Sequence, residues 1–434
     1  MNRSSTITRV WAREILNFRG DPTLEAEVVL SDATRGCAAV PAGISTGAGE
    51  VCQLLDGDAK RYGGKGVLNA VRNVREIIAP ALTGMEATQQ EAIDRRLLEL
   101  DGTPNKRALG GNAILAVSLA TAQAAAACQE LPLYRYLGGG GPFRLPVIVY
   151  NMFCGGSHAK DSVDFQEYLV IPAGLSSFRQ GLEAGVAVYK ALRARLQEQG
   201  YTVQEAGGGA LSAPLHSNEE AVEIIVASIE AAGYKLGKEC FIGIDAAASE
   251  FYRNGRYVLE REKKTLTSSE MADLWEEWVR RYRIISIEDA MSEEDWEGWQ
   301  ALTNRIGNRV QLVGDDLFTT NPERVRKGIA LGAANAVLVK PNQIGTLTET
   351  LETIKIAREA GWANMLSTRS GETEDTTVAD LSVLEACGQI KTGPPWRQVV
   401  VKHNRLLRIE EELGNRAEYA GVGAFKALTP ESRG

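Results

Sequence analysis

Six stretches of the chain share one design: FIGID (241–245), IISIE (284–288), VQLVGD (310–315), NAVLVK (335–340), ANMLS (363–367) and GQIK (388–391). Each is a short apolar run, and helical sequence lies between most of them. Strands that are apolar on both faces belong to a parallel sheet covered by helices. Two more runs, PVIVY (146–150) and residues 165–171, come before them. About eight such units in about 290 residues predict a (β/α)8-type barrel. Its first units are expected to be irregular, because 146–171 lacks an intervening helix and reads as a hairpin. Two helices carry capping boxes at their starts, Ser217 with Glu220 and Thr267 with Glu270.

Upstream, residues 5–41 read as strands, with TITRVWA and TLEAEVVLSD rich in β-branched and apolar residues. Helical stretches follow near 67–81, 87–99 and 111–129, the last rich in alanine. Strands followed by helices predict a small α+β domain over residues 1–138. The glycine run at 138–141 then leads into a barrel domain over 139–434.

Composition narrows the function classes. The 434 residues carry 48 basic and 56 acidic side chains, a net charge of −8, which argues against a nucleic-acid partner. Six cysteines (37, 52, 128, 154, 240, 387) form no C-x-x-C pair, so free thiols and a cytoplasmic location are expected. The first residues, MNRSSTITRVWAREIL, lack the apolar core of a secretory signal. The sequence reads as free of any apolar run of about 18 residues, so no membrane contact is expected. Only three histidines occur (158, 216, 403), with no H-E-x-x-H, so any metal would be held by carboxylates.

The strand ends carry the chemistry. FIGI ends in Asp245, IISI in Glu288, QLVG in Asp315, AVLV in Lys340 and GQI in Lys391, while ANMLST leads into Arg369. Any one of these charges could simply mark where a buried strand meets solvent. The series is harder to explain that way, because barrel active sites are assembled at this face from several strands. Three converging carboxylates repel one another unless a hard divalent cation such as Mg²⁺ lies among them. A cation beside Lys340 is expected to depress its pKa, and a neutral lysine is a competent general base. Arg369, Ser370 and Lys391 suit an anionic substrate. Metal, base and anion clamp together suit proton abstraction next to a carboxylate.

At these residues the sequence resembles the enolase family. The matching stretches are AREIL (12–16), AVPAGISTG (39–47), DGTPNKRALGGNAIL (101–115), SIED (286–289), VGDDLF (313–318), NQIGTLTET (342–350), RSGETEDTT (369–377), GQIKTG (388–393) and LLRIEEELG (406–414). They occur in order, and the resemblance covers nearly the whole chain, residue 11 to about 421. The resemblance implies an N-terminal capping domain and a barrel with irregular first units. It implies two Mg²⁺, the first on Asp245, Glu288 and Asp315, the second completed by Ser45 when substrate closes the site. It makes Lys340 the base at C2. Lys391 would hold the substrate carboxylate, and Arg369 and Ser370 its phosphoryl group. His158, Gln166 and Glu167 match pocket motifs of the family. A homodimer or higher homo-oligomer is implied as well.

The chain also departs from the family's pattern. Where the family has G-D-E-G-G-F-A-P-N, with its Glu as general acid, this chain reads AGGGALSAP (206–214). The alignment is ungapped on both sides, so Gly208 stands in place of the acid and Gly207 in place of its Asp neighbour. A register slip could offer Glu205 only with compensating gaps. Thr368 replaces an active-site histidine, Leu211 a phenylalanine and Leu55 an arginine, Asn17-Phe18 replace Asp-Ser, and Pro341 follows the base. Losing a general acid costs about 10²–10⁴-fold in rate. Metal ligands and base survive, which a decaying enzyme would not guarantee. The resemblance therefore implies an enzyme of altered chemistry with a roomier site for a small phosphorylated or phosphonylated carboxylate. Carboxyphosphonoenolpyruvate synthases of phosphonate antibiotic biosynthesis fit this pattern, and His158 or Glu167 would serve there as replacement acid. The alternatives are a phosphopyruvate hydratase with a slow or relocated acid, and a non-catalytic binding protein that keeps the fold.

Overall fold

The computed structural model describes residues 5–43 and 47–425. The chain opens with an antiparallel meander of β1 (Ile7–Leu16), β2 (Pro22–Leu30) and β3 (Arg35–Ala39). Along β2 the side chains of Leu24, Ala26, Val28 and Leu30 are buried, the period of a sheet with one face on a core. The 67–81 stretch is an irregular helix, Leu68–Asn73 and Ala79–Leu82 joined by a π-turn at Val74–Ile78. Helices α1 (Gln90–Asp101) and α2 (Gly111–Cys128) follow.

Helix α2 corrects one expectation: its 18 residues are long and apolar enough to cross a membrane by length and composition. It is packed inside the protein, with 89% of that stretch buried, as the core helix against β2 and β3. Alanine-rich composition suits that place, since small side chains let the helix lie close on the sheet.

Beyond Gly138–Gly141 the chain builds a closed eight-stranded barrel. Its strands are β4 (Val147–Cys154), β5 (Glu167–Ile171), β6 (Phe241–Asp245), β7 (Ile284–Glu288), β8 (Gln311–Gly314), β9 (Ala336–Val339), β10 (Ala363–Ser367) and β11 (Gln389–Thr392). They pair in that order, and β11 returns to β4 to close the ring. The expected irregularity is β5, which runs antiparallel to both β4 and β6. It forms the hairpin expected from 146–171, with one short 3₁₀ turn (Gly156–His158) in its loop.

Because β5 points the wrong way, two helices are needed before the next strand. α3 (Phe178–Glu198) climbs from the far end, and α4 (Asn218–Ala231) descends. Between them lies a short hairpin, Gln204–Ala206 with Ala210–Ser212, which joins the barrel sheet by one strand pairing, Phe153 with Leu211. Helix α5 (Ser268–Tyr282) starts with the full capping box of Thr267 and Glu270. At α4 only half the expected box forms. Ser217 accepts from the Glu220 N–H, but the Glu220 carboxylate reaches back to the N–H of His216 instead.

The barrel interior below the mouth is filled by Val147, Leu169, Phe241, Val313, Leu338 and Met365, a packed core rather than a pore.

Candidate active site

The parallel strands deliver their charges to one level at the mouth. Glu288 pairs with Asp245 across β7 and β6, and Lys391 with Ser367 across β11 and β10. Strand β5 is reversed, so its first residue, Glu167, reaches the same level and pairs with Asp245. The cleft is lined by His158, Gln166, Glu167, Asp245, Asp315, Lys340, Arg369, Ser370 and Lys391, all expected from the sequence. Glu288 lies beneath it, 1% exposed. Ser45 falls outside the described residues.

Two lysines hold the acids. Lys391 Nζ lies 2.8 Å from Asp245 Oδ2, 2.9 Å from Glu167 Oε2 and 2.7 Å from Glu288 Oε1. Burial alone would push its pKa down, but these three carboxylates outweigh burial and raise it well above the usual lysine range. Lys340 Nζ lies 2.5 Å from Asp315 Oδ2. Its pKa is likewise raised, because Asp315 outweighs burial. The depression expected at Lys340 is one that a bound cation would supply. Neutral Lys340 requires the Asp315 charge to be engaged elsewhere.

A hard cation fits these residues. Four carboxylates (Glu167, Asp245, Glu288, Asp315) face two ammonium groups (Lys340, Lys391), an excess of about two negative charges of the kind a divalent ion balances. Glu288 Oε2 is buried with no hydrogen-bond partner among the described residues. Burial, with Asp245 and Asp315 nearby, pushes the Glu288 carboxyl well above its ordinary range, and a cation relieves such a penalty.

Asp289, Asp315 and Asp316 form a second, overlapping group, with oxygens within 4.8 Å of one another. Asp289 also accepts the backbone N–H groups of Asp315 (3.0 Å) and Asp316 (2.9 Å), tying the end of β7 to the turn after β8. Asp316 is pushed up to about 8 by burial and by the Asp315 charge. The acidic doublets at 288–289 and 315–316 were the available signal for both residues.

Arg369 is buried and already engaged. Its two terminal nitrogens lie 3.1 Å from the two Glu50 oxygens, and one of them donates to Asn342 Oδ1 at 3.0 Å. Gln343, on the turn after Lys340, donates to Asp315 Oδ1 (2.8 Å), and its carbonyl accepts from Thr320 (2.6 Å). Thr320 also accepts the Lys340 backbone N–H (2.9 Å). Glu50, Asn342, Gln343 and Thr320 were all missed, although NQIGT (342–346) lies inside a quoted motif.

Pro341 now has a reason. Lys340 is extended (φ −130°, ψ 104°) and caps the short helix Pro341–Ile344. Proline suits the first helical position and favours an extended residue before it.

The 206–209 loop forms another side of the cleft. Gly207 and Gly208 have φ of +48° and +86°, the left-handed region that favours glycine. A Cβ on Gly207 would lie 2.6 Å from Cys154 Sγ. Glu205 is no substitute acid, because it points away to ion pairs with Arg193 (2.7 Å) and Arg397.

Leu211 corrects another expectation: it is fully buried in the barrel packing and does not enlarge the cleft. Thr368 lines the cleft, and its N–H donates to the Lys391 carbonyl (3.0 Å). Asn17 is buried and accepts from the N–H groups of Arg19 and Asp21 in the β1–β2 turn. Nothing in the structure explains the exposed Leu55.

Glu167 is 2.9 Å from Lys391 and 3.3 Å from His158 Nδ1. Burial raises its pKa, but Lys391 and His158 outweigh it and hold the carboxyl well below the usual range. In this arrangement Glu167 is a carboxylate, not a proton donor.

A capped barrel with carboxylates, lysines and an arginine gathered at the strand ends belongs to the class of barrel enzymes whose site is built at that face. The family models are specific. The enolase C-terminal TIM barrel domain matches residues 142–428, and the enolase N-terminal domain matches residues 7–137. The chain belongs to the enolase family.

Proposed function

We propose that the protein is a Mg²⁺-dependent enzyme that forms an enolpyruvate product from a 2-phosphoglycerate-type acid, with chemistry altered toward carboxyphosphonoenolpyruvate synthesis. One observation carries this reading: the strand-end set around Lys340 and Lys391 is complete, while the 206–209 loop presents only backbone to the cleft. Asp245, Glu288 and Asp315 would hold the cation, which supplies charge stabilisation to a substrate carboxylate as it becomes more negative. Lys340 Nζ takes the proton from C2, and the C–H electron pair passes into the carboxylate as an enolate. Arg369 and Ser370 orient the phosphoryl end. The enolate electrons then form the C2–C3 double bond as the C3 substituent leaves with its bonding pair. In this reading His158 gives the departing group its proton, and Glu167, 3.3 Å from His158 Nδ1, orients the ring.

The test follows two signals of 2-phosphoglycerate with Mg²⁺ in deuterated buffer. C2–H exchange is read by NMR, and phosphoenolpyruvate formation by absorbance at 240 nm. Exchange should be readily detected and lost in Lys340→Ala, with phosphoenolpyruvate formed about 10²–10⁴-fold more slowly than by an enzyme with a general acid. Turnover near an ordinary value of about 10 s⁻¹ would identify a phosphopyruvate hydratase instead. No exchange at all, unchanged in Lys340→Ala, would leave a binding protein.

A further inference from the structure

The space that a side chain at position 208 would enter is already taken. A Cβ built on Gly208 would lie 2.9 Å from Gln398 Nε2, and the next atom it meets is Ser370 Cα at 3.9 Å. Gln398 lines the same cleft as Lys340 and Arg369 and is 7% exposed. Its Nε2 donates one hydrogen to the Gly208 carbonyl at 2.9 Å. An amide nitrogen carries two donors. The second N–H and the Oε1 have no hydrogen-bond partner among the described residues.

The corner around this amide is riveted in place. Trp396 Nε1 donates to the Gly209 carbonyl (3.1 Å), as does the Tyr189 hydroxyl (3.0 Å). Arg397 adopts a left-handed φ of 57°, pairs with Glu205, and stacks its guanidinium 4.5 Å from the centre of the Trp396 ring. A strained residue fixed on both sides aims its neighbour reproducibly. The pairing also holds Glu205 to Arg193 and Arg397. What remains on this wall is a neutral amide, set against position 208.

We infer that Gln398 is a specificity-determining residue. Its free amide groups receive a second anionic substituent on the C3 side of the substrate, which a carboxylate at position 208 would repel. The inference rests on the enolpyruvate reading for the substrate's orientation, but its test is a binding measurement that does not require turnover.

The probes are phospholactate, with no group on C3, and phosphomalate, with a carboxylate there. Both are titrated by calorimetry with Mg²⁺ present. Wild type should prefer phosphomalate. Gln398→Leu should weaken phosphomalate by about 10-fold or more, the usual worth of a hydrogen bond to a charged group, and phospholactate by less than about 3-fold. Gln398→Glu should weaken phosphomalate further by like-charge repulsion. If Leu fails to fold, Gln398→Met gives the same comparison.

Equal weakening of both probes, or of neither, would make Gln398 a structural strut and overturn the inference. C2–H exchange with 2-phosphoglycerate, measured in parallel, separates the two failures. Loss of selectivity with exchange intact supports the role of Gln398, whereas absent exchange in wild type defeats only the catalytic reading.

Discussion

Lys391 touches three carboxylates at once, and the consequence is a large dependence on one ammonium group. Removing one partner of a buried ion pair typically costs about 3–5 kcal/mol. Lys391→Met should therefore lower urea-unfolding stability by about that amount, and added Mg²⁺ should recover part of it. A variant as stable as wild type would mean that Glu288 is already protonated. In wild type, Mg²⁺ at about 100 times its dissociation constant should stabilise by about 2.7 kcal/mol, and both EDTA and Glu288→Gln should remove the rise. At this scale the sequence was informative wherever residue type and place coincide, as with Asp245 or Lys391 at the end of an apolar strand. It was silent on Glu50, whose partner Arg369 lies 319 residues away, and on Gln398, which reaches the cleft only through the turn at Arg397. The direction of a side chain is also invisible in a sequence, which is why Leu211 read as cleft and sits in the core.

The elements show how narrowly some contacts are set. In β3, a Cβ on Gly36 would lie 2.2 Å from Ala120 O and 2.2 Å from Ala124 N of α2. Backbone cannot yield as a side-chain tip can, so Gly36→Ala should destabilise by on the order of 3 kcal/mol. Thr267→Ala, which breaks the cap of α5, should cost only about 1 kcal/mol. Both are read from denaturation midpoints, and their order is the prediction: equal costs would mean that α2 can shift off the sheet. The barrel strands were legible because parallel strands buried on both faces leave unbroken apolar runs. The irregular helix at 68–82 was harder, since nothing in its periodicity marks the π-turn.

The whole molecule couples stability to pH through His403, buried on the helix after the cleft and bonded to Thr392 Oγ1 at 3.1 Å. Burial, with Lys402 alongside, pushes its imidazole from 6.5 down to about 3. Between those values the unfolded chain binds a proton that the folded chain refuses. This term is absent above about pH 6.5, and it lowers stability as pH falls toward 3, by at most about 1.4 kcal/mol per pH unit. His403→Gln should flatten the difference between urea midpoints at pH 7 and pH 5, and an unchanged difference would place the acid sensitivity in other groups. One topological fact reaches beyond energetics. The reversal of β5 leaves α3 and α4 joined to each other at the mouth, so residues 199–217 belong to no strand-to-helix unit and join the barrel sheet by one strand pairing, Phe153 with Leu211, besides the side-chain bonds of Tyr189, Trp396 and Gln398 to Gly208 and Gly209. Gly207 and Gly208 lie on that segment. A lineage, or an engineer, can therefore rewrite one wall of the cleft there while the strand-end carboxylates and lysines stay in place.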